Sequence, residues 1–558
     1  MNDISNPNDK EEALPSPQPE TLKLTTKFAF GAGDLGPAMT TGILVFFLLY
    51  FFTNVAGLSA GLAGLILAIG KVADAINDPF LGILSDRTRT VWGRRIPWML
   101  GGAIPFALLF LLQWLVPQFS NVPDINQWYL FAYYVLISIL FNLAYTAVNL
   151  PYTALTPELT QDYNERTGLN SFRMAFSIGG SIFALILAQL VFLSYPDEPF
   201  KQYFFLGIVG SLVSAIAILW CVCRLQERGA RSLIPYHQRK LLGKILAFSG
   251  LAGIAFSAIA LWGQYFNIFV SISTLLIGGL ITAFGWTLIF SQSESHLVDE
   301  KAIASRSESQ NSPTIPFSEQ LKIVFSTKPF LYVIGIYLFS WLAIQLVASI
   351  LIYFVVSWMG MKEAEFSLVA IAIQGTALMM LFVWKQISDR LGKKTVYFLG
   401  MSIWLVAEVL IFSIQPGQVG LLYGCAILAG LGVSVGYLIP WSMMPDVIEW
   451  DELKTGQRRE GIFYGFMVLL QKVGLAVALL IVGQTLEFAG FIERLPGQPI
   501  PVQPESALFA IRIANTVFPA VCLILGMLLA YFYPITREVH AQIRLQLAER
   551  KQTQDNRV

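Results

Sequence analysis

The sequence predicts an all-α polytopic membrane protein, built as two six-helix bundles with a two-helix insertion between them. Three observations carry that prediction. First, of 558 residues 55% are hydrophobic and only 13% charged, against about a quarter charged in an ordinary soluble domain. Second, a bilayer-crossing helix needs roughly 20 mostly apolar residues, and about 14 such runs can be read along the chain. Third, Ser85-Asp86-Arg87 after the second run returns as Ser388-Asp389-Arg390 after the second run of the later block. Each copy is followed by a glycine and a basic pair, Gly93-Arg94-Arg95 and Gly392-Lys393-Lys394.

Taken in order, residues 1–26 open on MNDISNPNDKEEALPSPQPE, which lacks the apolar core of a signal peptide and reads as a disordered cytoplasmic tail. The first block, 27–226, holds runs near 38–56, 58–84, 96–117, 127–153, 172–195 and 203–224. Residues 227–325 carry most of a basic linker, RLQERGARSLIPYHQRK, two further runs near 243–263 and 266–290, and the Ser-rich loop SQSESHLVDEKAIASRSESQNSP. The second block, 326–535, has runs near 329–357, 366–387, 394–415, 418–445, 463–486 and 507–533, and 536–558 form a cytoplasmic tail.

Topology follows from where Lys and Arg flank short loops. SDRTRTVWGRR, RLQERGARS, SDRLGKK, KTGQRRE and the tail REVHAQIRLQLAERK all fall on one side if both ends are cytoplasmic. The opposite loops TNVAGLS, VPQFSNVPDINQ and QPGQVG carry neither Lys nor Arg. The expected location is a bacterial inner membrane. Two six-span halves, each closed by the same charged loop, are the organisation of a major facilitator transporter.

Composition also narrows the chemistry. A net charge of +1 gives no basic field for nucleic acid, and three His leave little for metal or acid/base catalysis. Cys221, Cys223, Cys425 and Cys522 lie inside apolar runs without metal spacing and read as packing residues. No Ser/His pair, HExxH or phosphate loop accompanies the intramembrane acids, so the chain is not expected to be an enzyme. A non-transporting sensor on the same fold stays open until flux is measured.

The stretch KVADAINDPF is the informative anomaly. Lys71, Asp74 and Asp78 fall three and four residues apart, on one helical face with Asn77 beside them. Facing lipid, they would cost about 8 to 10 kcal/mol, so they face a polar cavity. The two acids point to an ion or proton site, with a formal charge of about −1 on this face and Lys71 able to compete for the carboxylates.

ADAINDPFLG, YTAVNLPYTAL, PDVIEWDELKTGQRREG and Lys472 within FMVLLQKVGLA together resemble the glycoside-pentoside-hexuronide:cation symporters, the melibiose permease family. The resemblance covers nearly all of both blocks. It implies that Asp74, Asn77, Asp78 and Thr146 bind the coupling ion, Na+ or H+ with Li+ possible, and that Na+ would sit at Asp74 and Asp78. It further implies that Lys472 and Arg173 face the cavity, that no other cofactor is needed, and that a small-molecule substrate is carried, with the bilayer as surroundings and the protein a monomer. Family positions for sugar hydroxyls become Ala38 and Asn149 here, a polar pair becomes Met467 and Val468, and a stacking Trp becomes Thr153. Asp34, one turn before Ala38, and Asn149 remain candidate cavity groups beside Lys71. The expected function is cation-coupled symport of a sugar or glycoside by alternating access. The alternative is an amphipathic solute such as a lysophospholipid, since a lipid-carrying branch is similar to this family.

Asp86, Arg87, Arg94, Arg95, Asp389, Arg390 and Arg458, with Asp446, Glu449, Asp451 and Glu452, place opposite charges at the cytoplasmic ends of both halves. They are expected to pair across the mouth when the transporter faces outward, forming a cytoplasmic gate as well as a topology signal.

Overall fold

The computed structural model describes residues 22–160, 163–196, 198–227, 230–262, 268–290, 317–457, 459–494 and 501–555. The first 21 residues, the Ser-rich loop and Arg458 lie outside the described residues.

All the apolar runs become helices. The first half contains α1 (Leu24–Asn54), α2 (Ala60–Arg87), α3 (Ile96–Leu112), α4 (Pro123–Thr153), α5 (Tyr163–Ser194) and α6 (Pro199–Arg224). The insertion is α7 (Tyr236–Trp262) and α8 (Ile268–Ile289). The second half contains α9 (Lys328–Tyr353), α10 (Glu363–Leu391), α11 (Lys393–Ser413), α12 (Val419–Thr455), α13 (Glu460–Phe488) and α14 (Glu505–Phe532), followed by α15 (Arg537–Asp555). Among the described residues, 13 helices are long and apolar enough to cross a membrane, and α3 is a further apolar helix of 17 residues.

Helix α1 begins at Leu24 rather than near 38 because FAFGAGDLGPAM is a packing surface. A Cβ on Gly31 would stand 2.5 Å from Phe176, on Gly33 2.5 Å from Tyr152, and on Gly36 2.6 Å from Ser214. The glycines therefore let α4, α5 and α6 approach the α1 backbone directly. Helix α12 likewise runs past 445 to Thr455, carrying Asp446, Glu449 and Asp451 beyond the apolar run, and ends at Gly456 in the left-handed conformation.

The two halves repeat one packing scheme. In the first, α1 packs on α5 and α6, α2 on α4, and α3 on α4 and α6; in the second, α9 packs on α13 and α14, α10 on α12, and α11 on α12 and α14. The halves meet along α2 with α13, α5 with α10, and α1 with α9. Gly93 and Gly392, the equivalent glycines of the repeated loop, both take positive φ, +106° and +86°. That turn is open to glycine at no steric cost, so the repeat extends to backbone geometry.

The insertion is peripheral. Only 17% of the apolar core of α7 is buried, against 83% for α9. Its two helices join at a small-residue seam where a Cβ on Gly243 would meet Gly285 O at 2.7 Å and one on Gly250 would meet Gly278 O at 2.6 Å. Helix α8 docks on α5 and α6, with Trp220 Nε1 donating to Thr287 Oγ1 at 2.8 Å.

Interhalf hydrogen bonds gather at the end of the bundle opposite the repeated basic loops. Tyr50 OH donates to Glu363 Oε1 at 3.0 Å, Thr53 Oγ1 lies 2.7 Å from Tyr353 OH, and Gly61 N donates to Glu487 Oε2 at 2.9 Å. There α2 and α13 touch backbone to backbone: a Cβ on Gly483 would stand 2.6 Å from Ala60 O and 2.8 Å from Gly64 Cα.

Candidate functional site

Halfway along α2 the charged face turns toward the second half. Asp74 and Asp78 are one helical turn apart, and the Lys472 ammonium from α13 reaches both, 2.9 Å from Asp74 Oδ1 and 2.6 Å from Asp78 Oδ2. Thr146 of α4 places its hydroxyl 3.0 Å from Asp74 Oδ1 and 3.1 Å from Asp78 Oδ1, so one hydroxyl proton serves two carboxylates. Asp74 is buried, at 2% exposure. Asn77 is half-buried on the same helix, and the hydrogen bonds to the carboxylates come from Thr146 and Lys472 rather than from it.

Lys71 pairs with one of the two carboxylates. Its ammonium is 3.9 Å from Asp74 Oδ2 and 3.5 Å from Asn142 Oδ1. Asn142 Nδ2 donates to Ser138 O at 2.8 Å, which turns the amide oxygen toward Lys71. Lys472 is the ammonium that touches both carboxylates, and counting it with Lys71 brings the formal charge of the cluster from −1 to zero.

Lys71, Asp74 and Lys472 line one side of a central cavity of about 1060 Å³, counting its open mouth, whereas Asp78 and Thr146 are not among its lining residues. Lys71, Asp74, Asn142, Gln345, Gln471 and Lys472 are among its polar lining, with Thr41, Gln113 and Ser138 of the first half. Leu44, Leu48, Leu49, Leu67, Leu475 and Leu479 supply much of the rest. Asp34, Arg173 and Asn149 are not on this wall. Asp34 and Arg173 lie toward the basic-loop end, joining α1 to α5 with Asp34 Oδ2 3.5 Å from Arg173 Nε. Asn149 is half-buried, nearly one turn beyond Thr146 on α4.

At the basic-loop end the charges pair inside each half. Arg95 reaches Asp86 at 2.7 Å and Arg94 pairs with Glu158; Lys393 reaches Asp446 at 2.7 Å and Arg459 reaches Asp451 at 2.5 Å. Arg94 with Glu158 and Lys393 with Asp446 are the same pairing in the two repeats. Arg87, Asp389 and Arg390 are exposed. Helix α15 adds a cover, with His540 Nε2 2.9 Å from Glu449 Oε2 and Arg537 donating to Arg390 O at 2.7 Å.

Sequence spacing gave no sign of Glu227, whose carboxylate accepts from Arg94 N, Arg95 N and Ile96 N at 2.7–2.8 Å. Three free N–H groups at the start of α3 need an acceptor, and the basic linker supplies it from beyond α6. Asn142, Gln345 and Gln471 could have been found as polar residues inside apolar runs, with Gln471 adjoining Lys472.

The sequence matches the MFS/sugar transport protein family over residues 29–245 and 236–537. It is 57% identical over 537 residues to an uncharacterized symporter of Synechocystis sp., covering 96% of this chain and 98% of that protein. It is 28% identical over 527 residues to sodium-dependent lysophosphatidylcholine symporter 1 of Xenopus tropicalis, covering 93% and 89%. Among solved structures the nucleoside transporter NupG aligns with a TM-score of 0.54 at 12% identity, over 92% of this chain and 100% of that chain, a likeness of fold alone. The chain therefore belongs to the MFS/sugar transport protein family, as a multi-pass secondary transporter of the major facilitator fold, a symporter and not an enzyme.

Proposed function

We infer that the protein couples one monovalent cation, Na+ or H+ with Li+ as a further candidate, to the uptake of an amphipathic small molecule through the central cavity. The carrying observation is that Lys472 of the second half clamps Asp74 and Asp78 of the first. A cation taking those carboxylate oxygens, with Thr146 beside them, displaces the ammonium and opens a charged link between the halves. Hard anionic oxygens suit an alkali ion, and either carboxylate suits a proton. The halves then rock about the cavity, and linkage requires that cation and solute raise each other's affinity equally.

The leucine walls favour an amphipathic solute over a free sugar. The sodium-dependent lysophosphatidylcholine symporter of Xenopus tropicalis, related along most of its length, supports the same reading. A sugar or glycoside is the second reading, favoured by Asn142, Gln345 and Gln471 on the polar wall and by the likeness to glycoside-pentoside-hexuronide:cation symporters. Basic loops inside the cell would put both termini in the cytoplasm and make this an inward-facing arrangement, in a bacterial inner membrane and as a monomer. The in-half pairs of Asp86, Arg94, Arg95, Asp446 and Asp451 would re-form across the mouth in the outward-facing state, with Arg87, Asp389, Arg390, Glu449 and Arg458 around them.

The test is uptake into proteoliposomes of sugars, glycosides and lysolipids, under separate Na+ and H+ gradients, with Asp74→Asn and Asp78→Asn alongside wild type. Concentrative uptake unchanged in both variants would sink the coupling scheme.

A further inference from the structure

The central cavity holds buried polar atoms without a protein partner: Gln113 Nε2 at the end of α3 in the first half, and a pair on one helix of the second half. Gln345, 7% exposed on α9, has its Oε1 buried and unbonded. One turn earlier on the same helix, the Trp341 indole Nε1 is also buried and unbonded. Across from them on α13, Gln471 Oε1 accepts from Tyr337 OH at 2.5 Å, which leaves its amide Nε2 as the group available to the cavity. Tyr337 also stacks on Trp341 with ring centroids 6.1 Å apart, so the indole and the amide are positioned by one side chain. All three groups line the same cavity, beside the leucines of α1 and α13.

An acceptor and donors lining one cavity are matched by a ligand group that both donates and accepts a hydrogen bond. A phosphate or ester oxygen only accepts, and a quaternary ammonium does neither. With the Gln345 oxygen as the unbonded atom, a hydroxyl can donate to Gln345 and accept from Trp341. We propose that Gln345, Trp341 and Gln471 form a hydroxyl-recognising subsite, which selects solutes carrying a hydroxyl next to an apolar chain. This rests on the reading of the cavity as the solute path. The hydroxyl can come from the sugar of an alkyl glycoside or from the glycerol of a lysolipid. In both cases the leucine wall takes the chain.

The experiment measures equilibrium binding without any gradient, to full-length protein in phosphatidylcholine nanodiscs. Three probes share a 16-carbon chain: palmitoyl lysophosphatidylcholine, with a glycerol hydroxyl; hexadecyl glucoside, with sugar hydroxyls; and hexadecylphosphocholine, with none. Wild type is expected to bind at least one hydroxyl probe roughly tenfold more tightly than the hydroxyl-free one, the scale of one buried hydrogen bond. In Gln345→Leu that ratio falls to about one. In Trp341→Phe, which keeps the ring and removes the N–H, it falls part of the way. The probe whose advantage is lost names the source. A wild-type ratio near one, a ratio unchanged in both variants, or no binding of any probe overturns the proposal. If Gln345→Leu does not fold, Trp341→Phe decides alone. Failure of the symport reading is seen separately, as gradient-driven uptake surviving in Asp74→Asn and Asp78→Asn.

Discussion

If Lys472 is the internal competitor of the coupling cation, removing its charge while keeping a polar side chain must tighten cation binding. Lys472→Gln deletes two ammonium contacts, at 2.9 and 2.6 Å, to carboxylates whose side chains are 3% and 24% exposed. A hydrogen bond to a charged group contributes about 1.5–3 kcal/mol net. An incoming cation must displace both contacts, yet it also releases an ammonium that water can solvate, so one such increment is a fair measure of the competition. At about 1.4 kcal/mol per factor of ten, apparent Na+ or Li+ affinity should rise roughly 10- to 100-fold. Equilibrium binding of ²²Na+ to the variant and wild type in nanodiscs measures this, with Li+ as a competitor. Transport should fall in the same variant, because the cation no longer breaks a link between the halves when it binds. A folded Lys472→Gln protein with unchanged or weaker cation affinity would refute the competition argument, whatever happens to transport.

Gly483→Leu should prevent the end opposite the basic loops from closing, since even a Cβ there meets Ala60 O at 2.6 Å. A cysteine replacing Thr53, which is fully buried, should then react faster with a membrane-impermeant maleimide; equal rates would count against this contact as the seal. Glu227→Ala leaves three N–H groups at the start of α3 without their acceptor and should cost about 2–4 kcal/mol. A lowered thermal midpoint reads this out, with Glu227→Gln losing less because one acceptor oxygen remains. Deleting 537–558 uncovers the end of α12, where His540 meets Glu449 and Arg550 donates to Leu453 O at 2.8 Å. Amide exchange across 446–455 should accelerate, and unchanged protection would make α15 a bystander.

What could be read from the sequence was what local spacing dictates. Apolar run lengths gave the spans, and the recurrence of Ser-Asp-Arg with Gly and a basic pair gave the two halves. The three- and four-residue steps from Lys71 to Asp78 gave one helical face. Contacts between distant parts of the chain were out of reach of that reasoning. Lys472 lies 394 residues from Asp78, so spacing nominated the nearer Lys71 as competitor, whereas packing of α13 on α2 delivers the other lysine. Glu227 was similarly invisible, because an acid in a basic linker reads as solvated until α3 presents its N–H groups to it. The start of α1 was missed for a different reason: its glycines look like a break in a helix, and become favourable only once neighbouring helices press on them.

The repeat that organises the fold is broken where the chemistry lies, and the break has a mechanical consequence. Counting from the shared Ser-Asp-Arg, the positions matching Asp74 and Asp78 on α10 are Ala377 and Leu381, and that matching Lys71 is Gln374. The acids thus occur in one copy only, while the base that holds them comes from the other half. A site with its acids and base in one half could bind a cation and leave the interface untouched. With the charges divided between α2 and α13, cation binding there would act on the contact between halves, which the same two helices continue as a close backbone approach at Gly64 and Gly483. Under the proposed coupling, unequal halves are therefore what would let ion occupancy bias the direction of opening.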